Sequence, residues 1–228
     1  MAMIRSGMLA ACILLSACGL GNSNDPLSLV GQSISSTFSR SEPEQLTATR
    51  ASLEAGGFDE PLLVATMQEP QFLKTGLLDR GRRDGVTFWR GLDGSTVQMD
   101  RGVVLRTIGA GYDLYSSQTD QTVAALRSGS TTPYQRSYRH LNPLNQLDVT
   151  RYFCEFAPPQ AETITVFKRA HRTLRFVETC VAEESDAYGN TITVQNTFWK
   201  DANRPILWRS DQWISPQIGN ILFERVFE

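Results

Sequence analysis

The chain has no apolar stretch of the roughly 20 residues that a helix needs to cross a bilayer. It has only two histidines and four cysteines in 228 residues, and no surplus of positive charge. Each shortage excludes something. A formal net charge of −2 provides no basic field to hold a nucleic-acid backbone, so nucleic acid is not an expected partner. His140 and His171 stand without an HExxH pair or a neighbour at metal-ligand spacing, and no GxSxG elbow occurs anywhere. The common zinc and hydrolase signatures are therefore missing, and neither a metal nor an organic cofactor is expected.

What is present begins at the N-terminus. Arg5, an apolar run from Met8 to Leu15, and Leu15-Ser16-Ala17-Cys18 follow the order of an export signal: charged region, apolar region, small-residue cleavage site. Leu-Ser-Ala-Cys resembles the bacterial lipobox. The resemblance implies that Cys18 receives a diacylglycerol, that residues 1–17 are removed, and that the new amine is acylated, with palmitate or a similar chain. An ordinary secretory signal that happens to precede a Cys is the alternative. Several acyl chains hold where one binds reversibly, at ~0.8 kcal/mol per buried methylene. Gly19 follows Cys18 where an Asp would resemble an inner-membrane retention signal. That points to the outer membrane, with the protein on its periplasmic face. Residues 18–30 are small and polar and read as a flexible tether, which leaves 31–228 as a single β-rich domain.

Cys12 lies inside the discarded signal, so two cysteines remain beyond Cys18: Cys154 and Cys180. In an oxidising compartment they are expected to form a disulfide. Closing a loop of about 26 residues is worth about 3–4 kcal/mol in the chain-entropy description. Two free buried thiols or half of a metal site are the alternatives, and no CxxC or His-rich spacing accompanies them.

Ser41-Glu-Pro-Glu44 before Gln45 to Ala55 and Gly56-Gly57 has the cap, first-turn and stop signals of a helix. From Gly85 the texture becomes strands and tight turns. Val86 to Arg90, Ser95 to Asp100 and Val103 to Ile108 form a meander, with Asp and Gly in the turns. Longer runs follow at 148–156, 162–169, 173–182, 191–199, 206–213 and 220–227. In one of them Ile192, Val194 and Phe198 alternate with polar residues, the period of a half-buried antiparallel strand. Asp120 to Arg127 reads as a short helix, and 133–145 reads as a long connection. The fold expected is mainly β, with antiparallel sheets forming a sandwich or curved half-barrels and one or two short helices. Tyr152, Cys154 and Phe156 share one strand face, and Leu174, Phe176 and Cys180 share another, so both sulfurs point the same way as apolar neighbours.

No constellation of catalytic residues stands out. Asp93 and Asp100 flank a hairpin, where Asp is common for backbone reasons. Gly109-Ala110-Gly111 lacks the third glycine of a phosphate loop and reads as a bend. Arg169, His171, Arg172 and Arg175 form a local basic cluster, either a solvated turn or a contact for an acidic polysaccharide or lipid headgroup. Trp89, Trp199, Trp208 and Trp213 lie in strands or at their ends. They are core residues or, in an extracellular β protein, contacts for a glycan or protein partner.

Three stretches together carry a resemblance: Gly85-Val-Thr-Phe-Trp89 with Asp93-Gly94; Arg101-Gly-Val-Val-Leu-Arg-Thr-Ile-Gly109 with Gly111-Tyr-Asp113-Leu114; and Trp208-Arg-Ser-Asp-Gln-Trp-Ile-Ser-Pro216. With the lipobox and the Cys154/Cys180 pair, the chain resembles the YjbF/GfcB lipoproteins of exopolysaccharide and group 4 capsule production. The resemblance implies a β-rich lipoprotein that works as a non-catalytic accessory or assembly factor beside polysaccharide-secretion proteins, including an outer-membrane β-barrel. It carries no site residue beyond Cys18. A periplasmic glycan-modifying enzyme, with Asp113 as a candidate carboxylate, and a carrier of a lipid or lipid-linked sugar are the alternatives.

One outcome follows from Cys18. Replacing it (Cys18→Ser) behind an ordinary cleavable secretory signal should move the protein from the membrane pellet to the soluble envelope fraction, as read by fractionation and immunoblotting. Continued sedimentation with membranes would mean that the anchor lies elsewhere.

Overall fold

The computed structural model describes residues 50–55, 61–67, 73–91, 94–142, 144 and 146–227. The signal, Cys18, the tether, residues 41–49 of the expected helix, and Asp93 lie outside the described residues. The elements in chain order are α1 (Arg50–Ala55), β1 (Leu62–Met67), β2 (Leu73–Arg83), β3 (Val86–Gly91), β4 (Thr96–Asp100), β5 (Val103–Ile108), β6 (Leu114–Ser117), α2 (Asp120–Ser128), β7 (Tyr134–Leu141), β8 (Leu147–Phe156), β9 (Gln160–Val166), β10 (Arg169–Ala182), β11 (Thr193–Asp201), β12 (Leu207–Ser215) and β13 (Gly219–Arg225).

All thirteen strands join one sheet in the order β5-β4-β3-β2-β1-β13-β12-β11-β10-β8-β7-β6, with β9 branching from β10. The ladder is antiparallel and unbroken along this path, so the curved half-barrel expectation holds and two separate facing sheets do not appear. The sheet curves until its ends come back on its middle. Gln212, buried on the central strand β12, accepts from Val104 N (2.8 Å) and donates to Gly102 O (2.9 Å) on the β5 side. Ser117 Oγ on β6 donates to Val104 O at 2.6 Å, and Leu114 N donates to Thr107 Oγ1 at 2.9 Å. Side chains thus close a nearly complete barrel where the backbone ladder stops. Gly102 is required at this seam. Its φ is +90°, and a Cβ there would stand 2.7 Å from Leu207 Cδ1.

The three expected meander strands are β3, β4 and β5, and the six later runs are β8 to β13 within a few residues. Two readings need correction. Residues 133–145 are not simply a connection, because Tyr134–Leu141 is a full strand. Its buried positions are the consecutive Arg136, Ser137 and Tyr138, two of them polar, so apolar alternation is hidden. The run 162–169 ends early, because Phe167 and Lys168 both take positive φ (45° and 62°) in a tight hairpin turn that contains no glycine. The expected helix at 120–127 is α2, closed by Gly129 in the left-handed conformation with its N–H on Ala125 O.

Cys154 and Cys180 are directly opposed on β8 and β10 and form the disulfide, with Cα atoms 4.0 Å apart. It joins neighbouring strands of one sheet. Beside it, the buried Glu178 makes four contacts. Its Oε1 accepts from Thr122 Oγ1 of α2 (2.9 Å) and from the Tyr134 hydroxyl. Its Oε2 accepts from Arg136 Nη1 (2.7 Å) and Asn196 Nδ2 (2.6 Å). Asn196 Oδ1 in turn accepts from Trp213 N (2.7 Å). Burial works against the Arg136 charge, but Glu178, with Tyr138 and Tyr134, outweighs it and raises its pKa further. Burial and then Glu178 push the Tyr134 hydroxyl well above the usual phenol range.

Asp201 organises the turn before β12. Its carboxylate accepts from Asn203 N and Arg204 N (3.0 Å each) and from Trp208 Nε1 (2.8 Å). Burial alone would raise its pKa. The bond from Trp208 and those from Asn203 and Arg204 overcome this and bring it to about 2.

Two measurements follow. Glu178→Gln leaves the Arg136 charge buried without its counter-charge and should cost about 3–5 kcal/mol in urea unfolding. A loss within about 0.5 kcal/mol, the range of ordinary surface substitutions, would place Glu178 outside the framework. Asp201→Asn should lower Tm at neutral pH. Because the folded pKa is depressed, the gap should persist above the ordinary carboxylate value, near 3.8, and close as pH falls toward about 2. A gap unchanged at pH 2 would contradict this.

Candidate binding site

Helix α2 lies against the inner face of β8, β10 and β11, where Val123, Ala125 and Leu126 pack with Phe156, Phe176 and Phe198. Each fully buried aliphatic side chain of this size stabilises by about 1.5–3 kcal/mol. Two polar ties fix the helix further. Thr122 bonds to Glu178, and Lys200 Nζ on β11 donates to Leu126 O at 2.9 Å, where a cation suits the helix C-terminus. The side of α2 carrying Val123, Leu126 and Arg127 then forms one wall of a cavity of about 420 Å³, opposite the early strands and β12–β13. That volume lies in the range of small-ligand pockets.

The lining is divided by chemistry. Its buried part is mainly apolar: Leu63, Trp89, Met99 and Phe223 from strands, Val123 and Leu126 from the helix, with the hydroxyls of Thr87 and Ser210 among them. Its more exposed part carries five cations, Arg82, Arg101, Arg127, Lys200 and Arg225, and no carboxylate among the described lining residues. Arg101 is paired with Asp100 at 2.8 Å. Arg82 Nε donates to Thr87 Oγ1, and Arg225 Nε donates to Phe227 O while its guanidinium lies over Trp89, 5.7 Å from the ring centre. The Arg127 side chain makes no hydrogen bond among the described residues. An apolar cavity under a cationic mouth suits a ligand that carries negative charge.

Of the four tryptophans, Trp89 lines this cavity. Trp208 is fully buried, bonded to Asp201 and packed on His171 at 3.8 Å. Trp199 is half-buried, with Nε1 on Glu162 and Arg209 over its ring. Trp213 sits edge-on to Tyr138 and His140. The four do not share one face. The basic cluster is likewise split, since His171 is buried and Arg175 pairs with Glu162 (3.4 Å), while Arg169 and Arg172 are exposed.

A second cleft of about 290 Å³ near the seam brings Asp113, His140, Arg106, Tyr112 and Tyr115 together. Its titratable pair is structurally engaged. Asp113 accepts from Thr107 Oγ1, Gly109 N and Ala110 N (2.9–3.0 Å), which holds the Gly109–Gly111 bend. His140 Nε2 lies 2.7 Å from Ile214 O, and since a carbonyl only accepts, that nitrogen carries the proton. Asp100 bonds to Arg101 and Thr119. Cys154, Glu178 and Cys180 come within 4.8 Å of one another, as metal ligands would. Both sulfurs, however, are used in the disulfide.

Sequence reasoning missed the cationic mouth. Its residues come from β2, the β4–β5 turn, α2, β11 and β13, and no local pattern unites them.

The fold has a solved relative. The hypothetical lipoprotein YmcC from Escherichia coli K12 is similar with a TM-score of 0.62 at 15% identity, over 74% of this chain and 84% of that one. At that identity the likeness speaks for the fold alone. A putative exported protein with a YmcC-like fold from Bacteroides fragilis aligns over 74% of this chain and 95% of that chain, at 11% identity and a TM-score of 0.29. No curated protein matches the chain. The sequence does match, over residues 31–226, the family described as group 4 capsule polysaccharide lipoprotein gfcB, YjbF. With a match that spans nearly all of the chain beyond residue 30, the chain belongs to the YjbF family.

Proposed function

We propose that the protein is an outer-membrane lipoprotein, held by Cys18 on the periplasmic face, that serves as a non-catalytic accessory factor in exopolysaccharide or capsule secretion. It acts by holding an anionic ligand in the cavity beneath α2. The cation-lined mouth, with no carboxylate among the described lining residues, is the observation that carries this reading. The family's link to capsule polysaccharide supplies the process. The partners are polysaccharide-secretion proteins, including an outer-membrane β-barrel, reached across the tether of residues 18–30. A glycan-modifying enzyme is less well supported, because Asp113 and Asp100 are engaged by neighbouring groups and His140 Nε2 by a backbone carbonyl.

Deleting the gene should reduce surface polysaccharide under conditions that express it, and the wild-type gene should restore it. The double variant Arg82→Glu/Arg127→Glu alters two exposed side chains at the mouth and should be exported at wild-type level yet fail to restore polysaccharide. Full restoration by that variant would remove the cavity from the function. Unchanged polysaccharide on deletion would remove the process.

A further inference from the structure

A mouth of five cations accepts many anions, but the rest of the lining narrows the choice. A saccharide presents hydroxyls that donate as well as accept, so a sugar site needs acceptors. This cavity has few. Among the described lining residues there is no Asp, Glu, Asn or Gln. Its two hydroxyl side chains each already accept one bond, Thr87 Oγ1 from Arg82 Nε and Ser210 Oγ from Gln212 Nε2, which leaves little acceptor capacity for a sugar. Below the mouth the surface is aliphatic and aromatic, and a buried sugar there would lose its water without replacement.

An alkyl or isoprenoid chain has no such need. The same surface would favour it in proportion to the area covered. The charged mouth would meet a phosphate or carboxylate, which accepts from guanidinium and ammonium donors and donates nothing when fully ionised. Lys200 keeps two further N–H directions beyond its bond to Leu126 O, since an ammonium has three donors.

We propose that the cavity beneath α2 binds an anionic amphiphile, its apolar chain against Leu126, Met99 and Phe223 and its phosphate or carboxylate head between Arg127, Lys200 and Arg82. This rests on the reading that the cavity is the protein's binding site and names what enters it. The lipid is the part of the ligand the cavity recognises, and any sugar attached to its head would project into solvent. Two sources share this chemistry: a membrane phospholipid and a lipid-linked saccharide.

The test uses the mature chain, residues 18–228, carrying Cys18→Ser, which removes the lipidation site and the need for detergent. Binding of hexyl, octyl and decyl phosphate is measured by calorimetry below their micellar concentrations. Affinity should rise roughly fourfold for each added methylene that is buried. Decyl maltoside, with the same chain and a neutral sugar head, should bind at least about tenfold more weakly, as expected for the loss of charge-assisted bonds. Arg82→Ala/Arg127→Ala should weaken decyl phosphate by a similar factor while leaving the thermal melt of the unliganded protein in place. Geranyl phosphate, with the same ten carbons in a branched, unsaturated chain, compared with decyl phosphate separates an isoprenoid from an acyl source. Either preference supports the proposal.

Affinity independent of chain length, equal binding of decyl maltoside, or insensitivity to the mouth variants would overturn it, as would absence of saturable binding. Should alkyl phosphates fail to bind while Arg82→Glu/Arg127→Glu still abolishes polysaccharide, the accessory reading stands and the amphiphile falls. Should they bind as described while polysaccharide is indifferent to the mouth, the reverse holds.

Discussion

The Glu178 carboxylate is the point through which the second half of the barrel and helix α2 are assembled. Four donors from α2, β7 and β11 converge on it. A carboxylate with fewer partners in that position would be expensive to bury. The pairing also dictates placement, because Thr122 meets Oε1 only if α2 lies across the inner face of β10. The helix then presents Val123, Leu126 and Arg127 to the cavity. A polar constraint deep in one half of the barrel therefore sets the shape of an apolar wall in the other.

Legibility in the sequence followed the range of the interactions. Strands β3 to β5 and β8 to β13 were readable because alternation and turn residues are local signals. The disulfide was readable because Cys154 and Cys180 are the two cysteines left beyond Cys18 in an oxidising compartment, and the faces of Tyr152-Cys154-Phe156 and Phe176-Cys180 agreed with it. Strand β7 was opaque because Arg136 occupies a slot that pattern reading reserves for an apolar residue, and its reason for being there, Glu178, lies 42 positions away. Strand β1 carries buried residues on both faces, so it has no alternation to detect.

The site was harder still. Trp89 could be noted as a large aromatic, but nothing near it announces a cavity. The local cluster Arg169 to Arg175 was conspicuous as a sequence feature and proved to be divided between a buried ring, an ion pair and solvent. The cations that do converge range from Arg82 to Arg225, brought together only when the sheet folds back on itself. Convergence of this kind is a property of topology, and a linear reading sees its members one at a time.

The seam has a further consequence, for colloidal behaviour. A sheet that ends in bare N–H and C=O groups invites other chains to add to it. Here the β5 edge is covered by Gln212 and Ser117, and the edge of β9 has Arg209 Nη2 on Thr165 O at 2.7 Å. Lipid anchoring confines molecules to a plane, where neighbours meet far more often than in free solution. A strand-rich lipoprotein crowded in that way stays a population of separate molecules to the extent that its own side chains occupy its edges first.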